Sequence, residues 1–298
     1  MNIIKDIKNL QVGKVIENAI MKDYTTYKVG GKVICIVVPE DEVCLIKLLK
    51  YIKENNIKYK IIGNGSNVIF NNKGYDGVII KLDNFNNLNI LNNKIIVGAG
   101  YMVNKLALRV SRLGLTGMEF ATGIPGTVGG AVYMNAGAYK TDMGYIVTSI
   151  KVITPELEIK TLYNKDLDFH YRTSFLQKNK DYICIEATIS LIKGNADEIM
   201  ELINERKKRR IETQPLEYPS AGSVFRNPEG DFAGRLIEEI GYKGKSIGGA
   251  KVSEKHANFI INNGNATGEE IKELIKEIQD KVKEKYNVEL KVEQEFVE

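Results

Sequence analysis

Gly117-Met118-Glu119-Phe120-Ala121-Thr122-Gly123-Ile124-Pro125-Gly126-Thr127-Val128-Gly129-Gly130-Ala131 decides how this chain is read; it continues as Val132-Tyr133-Met134-Asn135-Ala136-Gly137-Ala138-Tyr139. Five glycines and a proline fall between Gly117 and Gly130, with hardly a charge among them. An ordinary amphipathic element does not have this composition. Glycine has no Cβ, so its backbone takes positive φ and lets a ligand come close. Pro125 fixes φ and stiffens the loop. Threonine hydroxyls and free N–H groups beside such glycines suit a phosphate or a flat cofactor ring. The alternative is a tight set of internal turns, but flexible loops seldom exclude charge so thoroughly.

A second loop points the same way. Ile61-Ile62 reads as a short buried strand, followed by Gly63-Asn64-Gly65-Ser66-Asn67, and Val68-Ile69-Phe70 resumes the apolar pattern. Such a loop after a strand makes a concave nest of backbone donors for a diphosphate. Taken alone, Asn-Gly between apolar runs is a hairpin turn. The Gly117–Tyr139 run in the same chain reverses that preference.

With Thr25-Thr26-Tyr27-Lys28-Val29-Gly30-Gly31 ahead of them, the two loops stand in the order that resembles the UDP-N-acetylenolpyruvoylglucosamine reductase family. The resemblance runs through the second half and covers nearly the whole chain. It implies an α+β fold: an N-terminal FAD-binding domain of the vanillyl-alcohol-oxidase type in two subdomains (about 1–82 and 83–193), then a C-terminal α+β substrate domain over 194–298. It implies non-covalent FAD, held by Gly63, Asn64, Gly65, Ser66 and Asn67 and by Thr122, Gly123, Pro125, Gly126, Thr127, Gly129, Gly130, Ala131, Asn135 and Gly137. NADPH is the implied co-substrate and UDP-N-acetylglucosamine enolpyruvate the implied substrate, in peptidoglycan precursor synthesis. A monomer is expected on the same ground. The chain is short for the branch with an extra tyrosine-bearing loop, so it resembles the branch without one.

Composition fits this picture. A chain of 298 residues, 43% hydrophobic, favours two domains with substantial cores. Net charge is +4, from 42 basic and 38 acidic residues, too even for a dedicated nucleic-acid binder. No signal-peptide core follows Met1-Asn2-Ile3-Ile4-Lys5-Asp6, and no apolar run is long enough to span a bilayer. A cytoplasmic protein is expected. Cys35, Cys44 and Cys184 read as free thiols in apolar patterns. With only His170 and His256 as imidazoles, no metal site is expected.

Val33–Val38 reads as a strand closed by Pro39. Asp41–Glu54 reads as a helix with Val43, Leu45, Ile46, Leu49 and Ile52 at helical spacing. Lys60–Ile62, Val78–Leu82 and Ile95–Val97 are further strands, and Val103–Leu113 is a helix with Gly114 at its end. Long strands are expected over Tyr145–Thr154 and Tyr182–Ile192. Asn195 and Glu198 suggest the start of a helix running to about Ile211. Its basic cluster, Arg206-Lys207-Lys208-Arg209-Arg210, would complement the dipole of a last turn, with one or two members reaching a substrate diphosphate. Thr267-Gly268-Glu269-Glu270 is a second capping box, for a helix to about Tyr286, and Val288–Val292 is expected to be a closing strand. Gly98-Ala99-Gly100 imitates a dinucleotide fingerprint but fails it: position 103 is Val, where the third glycine is needed.

Three further motifs carry chemistry. In Phe169-His170-Tyr171-Arg172-Thr173-Ser174, an arginine suits bidentate pairing with a carboxylate. The resemblance gives Arg172 the enolpyruvyl carboxylate and makes Tyr171 a substrate contact, with His170 left to local packing. Ser220-Ala221-Gly222-Ser223-Val224-Phe225-Arg226-Asn227-Pro228 places small residues where a substrate can approach the backbone. By resemblance Ser223 protonates the carbon next to the carboxylate, and Asn227 touches substrate. Leu290-Lys291-Val292-Glu293-Gln294-Glu295-Phe296 aligns Glu293 with the family's catalytic glutamate. It departs from the family at Val292, where proline is common, at Gln294, where an apolar residue is common, and in its second acid, Glu295. A covalent flavin oxidase is the first rival, disfavoured because Gly63–Asn67 holds neither His nor Cys. A non-catalytic flavin or nucleotide module is the second, and it would not need Arg172, Ser223 and Glu293 together.

Overall fold

A computed structural model describes residues 2–298. The chain divides into two compact units. The first holds residues up to Glu17, Ile34–Asn64 and Gly77–Lys207; the second holds Asn18–Val33, Gly65–Asp76 and Lys208–Glu298.

The first unit carries two sheets. One has the order Gly13–Glu17, Val33–Pro39, Tyr75–Lys81, Tyr59–Ile62. Tyr59–Ile62 runs parallel to Tyr75–Lys81, and the helix Glu42–Glu54 carries the chain from Val33–Pro39 across to Tyr59–Ile62 at the sheet edge. Asp41 caps that helix by accepting a hydrogen bond from Cys44 N–H at 2.8 Å. Its buried face is Leu45, Leu48, Leu49 and Ile52, an i, i+3, i+4, i+7 stripe. Val43, expected on that face, is 73% exposed, because it falls nearly half a turn away from the stripe. The second sheet is antiparallel throughout, ordered Ile159–Tyr163, Val147–Ile153, Ile183–Ser190, Lys94–Gly98, Leu88–Leu91. The strand expected over Tyr182–Ile192 ends at Ser190; Ile192–Lys193 pairs separately with Leu115–Thr116. One continuous apolar core links Ile7, Val37 and Leu49 with Val97, Leu106, Val132, Val152 and Ile185.

The second unit packs the helices Ala233–Glu239 and Gly268–Tyr286 with the antiparallel strands Ser246–Ile247, Ala250–Val252 and Ile260–Asn262. Thr267 opens the longer helix with both bonds of a capping box, as its sequence predicts. Ile271, Leu274, Ile275, Ile278 and Val282 bury one stripe of it. Asn287 ends it in the left-handed conformation, φ 56°. A two-stranded parallel sheet joins Val68–Phe70 to Glu295–Val297.

The compact units part at 207/208, inside the helix Ala196–Thr213. Residues 18–33 and 65–76 belong with the C-terminal part because their backbone groups bond there, as in Asn262 Nδ2 to Tyr27 O (3.0 Å) and Gly268 N–H to Asn72 Oδ1 (3.0 Å). The closing strand lies at Glu295–Val297 and not over Val288–Val292, where Val292 makes only an isolated bridge to Phe225. The basic cluster sits inside its helix, with only Arg210 in the last turn. Among the described residues no helix is long and apolar enough to cross a membrane.

Gly98 and Gly100 show why the false fingerprint exists. A Cβ on Gly100 would lie 1.8 Å from the Leu82 carbonyl oxygen, and one on Gly98 would lie 2.1 Å from that of Phe85. These glycines let the turn at 82–85 cross the strand end. Gly100→Ala is therefore expected to cost about 3 kcal/mol of stability, since backbone cannot yield as a side chain does. Urea unfolding followed by far-UV circular dichroism checks this, and an unchanged midpoint would refute it.

Candidate functional site

In the first unit the glycine-rich run is a short 3-10 turn, Glu119–Gly123, a bend, and the helix Val128–Tyr133. Thr127 caps that helix. The bend is fastened along Ala99–Val103 by Val103 N–H to Gly126 O (2.9 Å), Val128 N–H to Tyr101 O (2.8 Å) and Gly129 N–H to Ala99 O (2.8 Å). Glu119, the one acid of the run, is buried; it accepts from the Thr116 hydroxyl (2.6 Å) and from Gly117 N–H (3.0 Å). Its charge is thus spent on holding the entry of the run.

The two loops read together from sequence meet within this unit. Asn64 Nδ2 donates to Pro125 O at 2.8 Å, and a Cβ on Gly63 would lie 2.4 Å from Thr127 Oγ1. Val68–Phe70 pairs with Glu295–Val297 and Tyr59–Ile62 with Tyr75–Lys81, so Gly63–Asn67 is not a hairpin turn.

The glycines serve two different needs. At Gly63, Gly129 and Gly137 a Cβ would strike the protein itself: Thr127, Ala99 and the Thr141 carbonyl (2.4 Å) respectively. Close approach there is made by the chain, not by a ligand. At Gly130 a Cβ would meet nothing nearer than Thr127 Oγ1 at 3.5 Å. Gly65 takes φ +67°. The N–H groups of Asn64, Gly65 and Ser66 donate to no acceptor among the described residues. Successive unmet donors around a left-handed residue fit an anionic phosphate oxygen.

Asn135 is 1% exposed and fully engaged: Nδ2 donates to His170 O (2.8 Å), and Oδ1 accepts from Gly144 N–H (2.8 Å). It thereby ties the loop to His170 and to Gly144. His170 and Thr173 exchange both backbone hydrogen bonds, at 3.1 and 3.0 Å, and turn Tyr171 and Arg172 outward between them. The His170 ring is exposed beside Asp168 at 2.9 Å rather than packed. Arg172 has φ 53°, and its Nη2 donates to Gly137 O at 2.7 Å. Its guanidinium lies 5.1 Å from the Tyr171 ring centre. Burial pushes the nearby Asp142 carboxyl above its ordinary range, opposed by Gly144 N–H, Asn135 and the Arg172 charge. Arg206, of the basic cluster, stacks over Tyr139 at 4.4 Å.

In the second unit Thr26 N–H donates to Gly65 O (3.1 Å), so the opening motif supports the Gly65 loop. Here the structure brings Ser223, Glu293 and Asn67 together. Glu293 N–H donates to Val224 O (2.8 Å), Arg226 N–H to Lys291 O (2.9 Å), Asn67 Nδ2 to Glu293 O (3.1 Å) and Glu295 N–H to Asn67 O (2.9 Å). Ser223 is half-buried, and its hydroxyl engages no group among the described residues. Asn227 is exposed, with Oδ1 accepting from Ala233 N–H (3.1 Å) at the start of a helix. Two buried residues that the sequence reading passed over complete the frame. Asn258 accepts from Phe225 N–H (2.9 Å) and donates to Phe225 O (2.8 Å). Gln294 faces the loop before Val224. Neither lies in a local pattern that announces such a bond.

Comparison with known proteins agrees with this geometry. A family model described as "UDP-N-acetylenolpyruvoylglucosamine reductase, C-terminal domain" matches residues 214–297, and one described as "FAD binding domain" matches residues 33–163. The chain is 43% identical over 296 residues to UDP-N-acetylenolpyruvoylglucosamine reductase of Bacillus licheniformis, covering 99% of this chain and 98% of that one. It is 46% identical over 288 residues to the protein of the same name from Caldanaerobacter subterraneus subsp. tengcongensis, covering 97% and 95%. Among solved structures, UDP-N-acetylenolpyruvylglucosamine reductase from Thermus caldophilus superposes with a TM-score of 0.82 at 32% identity, over 96% of this chain and 99% of that one. Likeness at this identity over both full lengths, in a chain whose flavin loops and serine loop are built as described, has one meaning: the chain belongs to the UDP-N-acetylenolpyruvoylglucosamine reductase family.

Proposed function

We propose that this protein reduces UDP-N-acetylglucosamine enolpyruvate to UDP-N-acetylmuramate, with NADPH as reductant, in peptidoglycan precursor synthesis. Full-length likeness to reductases of that name carries the reading. Bound FAD supplies the chemistry of taking a hydride from NADPH and delivering it to the enolpyruvyl double bond. Asn64, Gly65 and Ser66 would hold it through their unmet N–H groups, and Gly126–Ala131 on the rigid bend would contribute as well.

The remaining work falls to the chain's own side chains. Arg172 holds the substrate carboxylate, where negative charge grows as hydride arrives; a fixed cation there stabilises the transition state. Ser223 gives its proton to the carbon beside the carboxylate. Its hydroxyl is unengaged by the protein and therefore available to a ligand. Glu293 acts with Arg172 on the developing charge. Its backbone is tied to Val224, next to Ser223. Tyr171 and Asn227 contact substrate in this reading. A cytoplasmic monomer belongs to the same reading.

Anaerobic stopped-flow absorbance in the flavin band tests the whole. NADPH should bleach the band and UDP-N-acetylglucosamine enolpyruvate should restore it quickly; bleaching without restoration would overturn the substrate assignment. Ser223→Ala is expected to slow the restoring half-reaction by about 10²- to 10⁴-fold and spare the NADPH half-reaction. An unchanged rate would remove Ser223 as proton donor. Arg172→Lys keeps the charge but loses the planar fork, so restoration should slow by about 10²-fold, measured in the same experiment.

A further inference from the structure

Gln294 is buried, 4% exposed, in a segment of charged and apolar residues. Burying an amide is costly unless it is hydrogen-bonded. Its Nε2 lies 3.1 Å from Ala221 O, 3.3 Å from Gly222 O and 3.4 Å from Ser223 O. Three successive carbonyls thus converge on one nitrogen with two hydrogens. An extended chain alternates its carbonyls and cannot do this. Gly222, at φ +75°, provides the bend; a Cβ there would meet nothing within 4 Å, so glycine serves conformation here rather than space.

Beyond this point the loop is held by other groups. Val224 O accepts from Glu293 N–H, Val224 N–H donates to Asn258 O, and Phe225 is held on both sides by the Asn258 amide. For Ala221–Ser223, Gln294 is the side chain that anchors the backbone. The Ser223 hydroxyl has no protein partner to aim it, so its direction follows from the backbone that carries it.

We propose that Gln294 is a positioning residue: by gathering the carbonyls of Ala221, Gly222 and Ser223 it fixes the direction in which Ser223 presents its hydroxyl to substrate. The inference rests on Ser223 being the proton donor. It joins Gln294 to the same short segment that carries Glu293, so one piece of chain sets two groups of the reaction.

The test is a double-mutant cycle on the FAD-loaded enzyme, read by stopped flow and thermal melting. Gln294→Met, of similar length and without donors, should slow restoration of the flavin band about ten- to a hundredfold, as misplacement of a reacting group does. Its NADPH half-reaction should stay within about twofold of the parent. Added to Ser223→Ala, it should cost restoration nothing further, because the group it aims is gone. Equal slowing of both half-reactions, or a full additional loss in the Ser223→Ala background, would overturn the proposal in favour of a general structural role. If Gln294→Met does not fold, Gln294→Glu gives the same readout, with acceptors in place of donors at neutral pH. Should Ser223→Ala alone run at the parent rate, the proton-donor reading fails; should only Gln294→Met lack the selective effect, the positioning proposal fails alone.

Discussion

The hydrogen bond from Glu293 N–H to the Val224 carbonyl, 2.8 Å long, is the constraint around which the second unit is organised. One such bond contributes only about 1 kcal/mol net, but a buried group left without its partner costs about 1–3 kcal/mol. The register is therefore enforced less by what it gains than by what any other register would lose. Arg226 with Lys291 on one side and Asn67 with Glu293 and Glu295 on the other repeat the argument. A slip of one residue would turn Gln294 out of its cage of carbonyls and bring a carboxylate in. The serine loop, the glutamate segment and the end of the second glycine loop thus have one relative arrangement.

The first unit reaches a similar end by other means. Its glycine-rich run carries no long element, yet Gly126 O, Val128 N–H and Gly129 N–H are all tied to Ala99–Val103. Glycines at Gly63, Gly129 and Gly137 permit contact between backbone and side chain that any Cβ would prevent. A loop built so closely has little left to rearrange when a ligand arrives, and preorganisation lowers the ordering cost of binding.

Legibility followed the range of each interaction. Thr267 with Glu270 is a contact between residues three apart, and sequence alone placed it. The glycine loops and the Arg172, Ser223 and Glu293 motifs were legible because several distinctive stretches fall in one order. Gln294 and Asn258 were not. Their bonds reach across 71–73 and 33 positions to backbone groups, and a carbonyl has no letter in a sequence. The basic cluster at 206–210 was misplaced for a related reason: capping chemistry marks where a helix begins far better than where it stops, and the helix continued to Thr213.

The parallel pairing of Val68–Phe70 with Glu295–Val297 has a temporal consequence. Asn67 and Glu293, bonded beside it, are 226 positions apart. Synthesis proceeds from the N-terminus, and domains generally fold in that order. Here Asn18–Val33 and Gly65–Asp76 are made early but find their partners only when residues 208–298 follow. Until then the apolar side chains of Tyr27, Val29 and Ile69, buried in the finished protein, lack the core that covers them. A nascent chain of this kind carries exposed sticky segments through most of its translation, and the charges of Lys28, Lys32 and Lys73 between them oppose premature association.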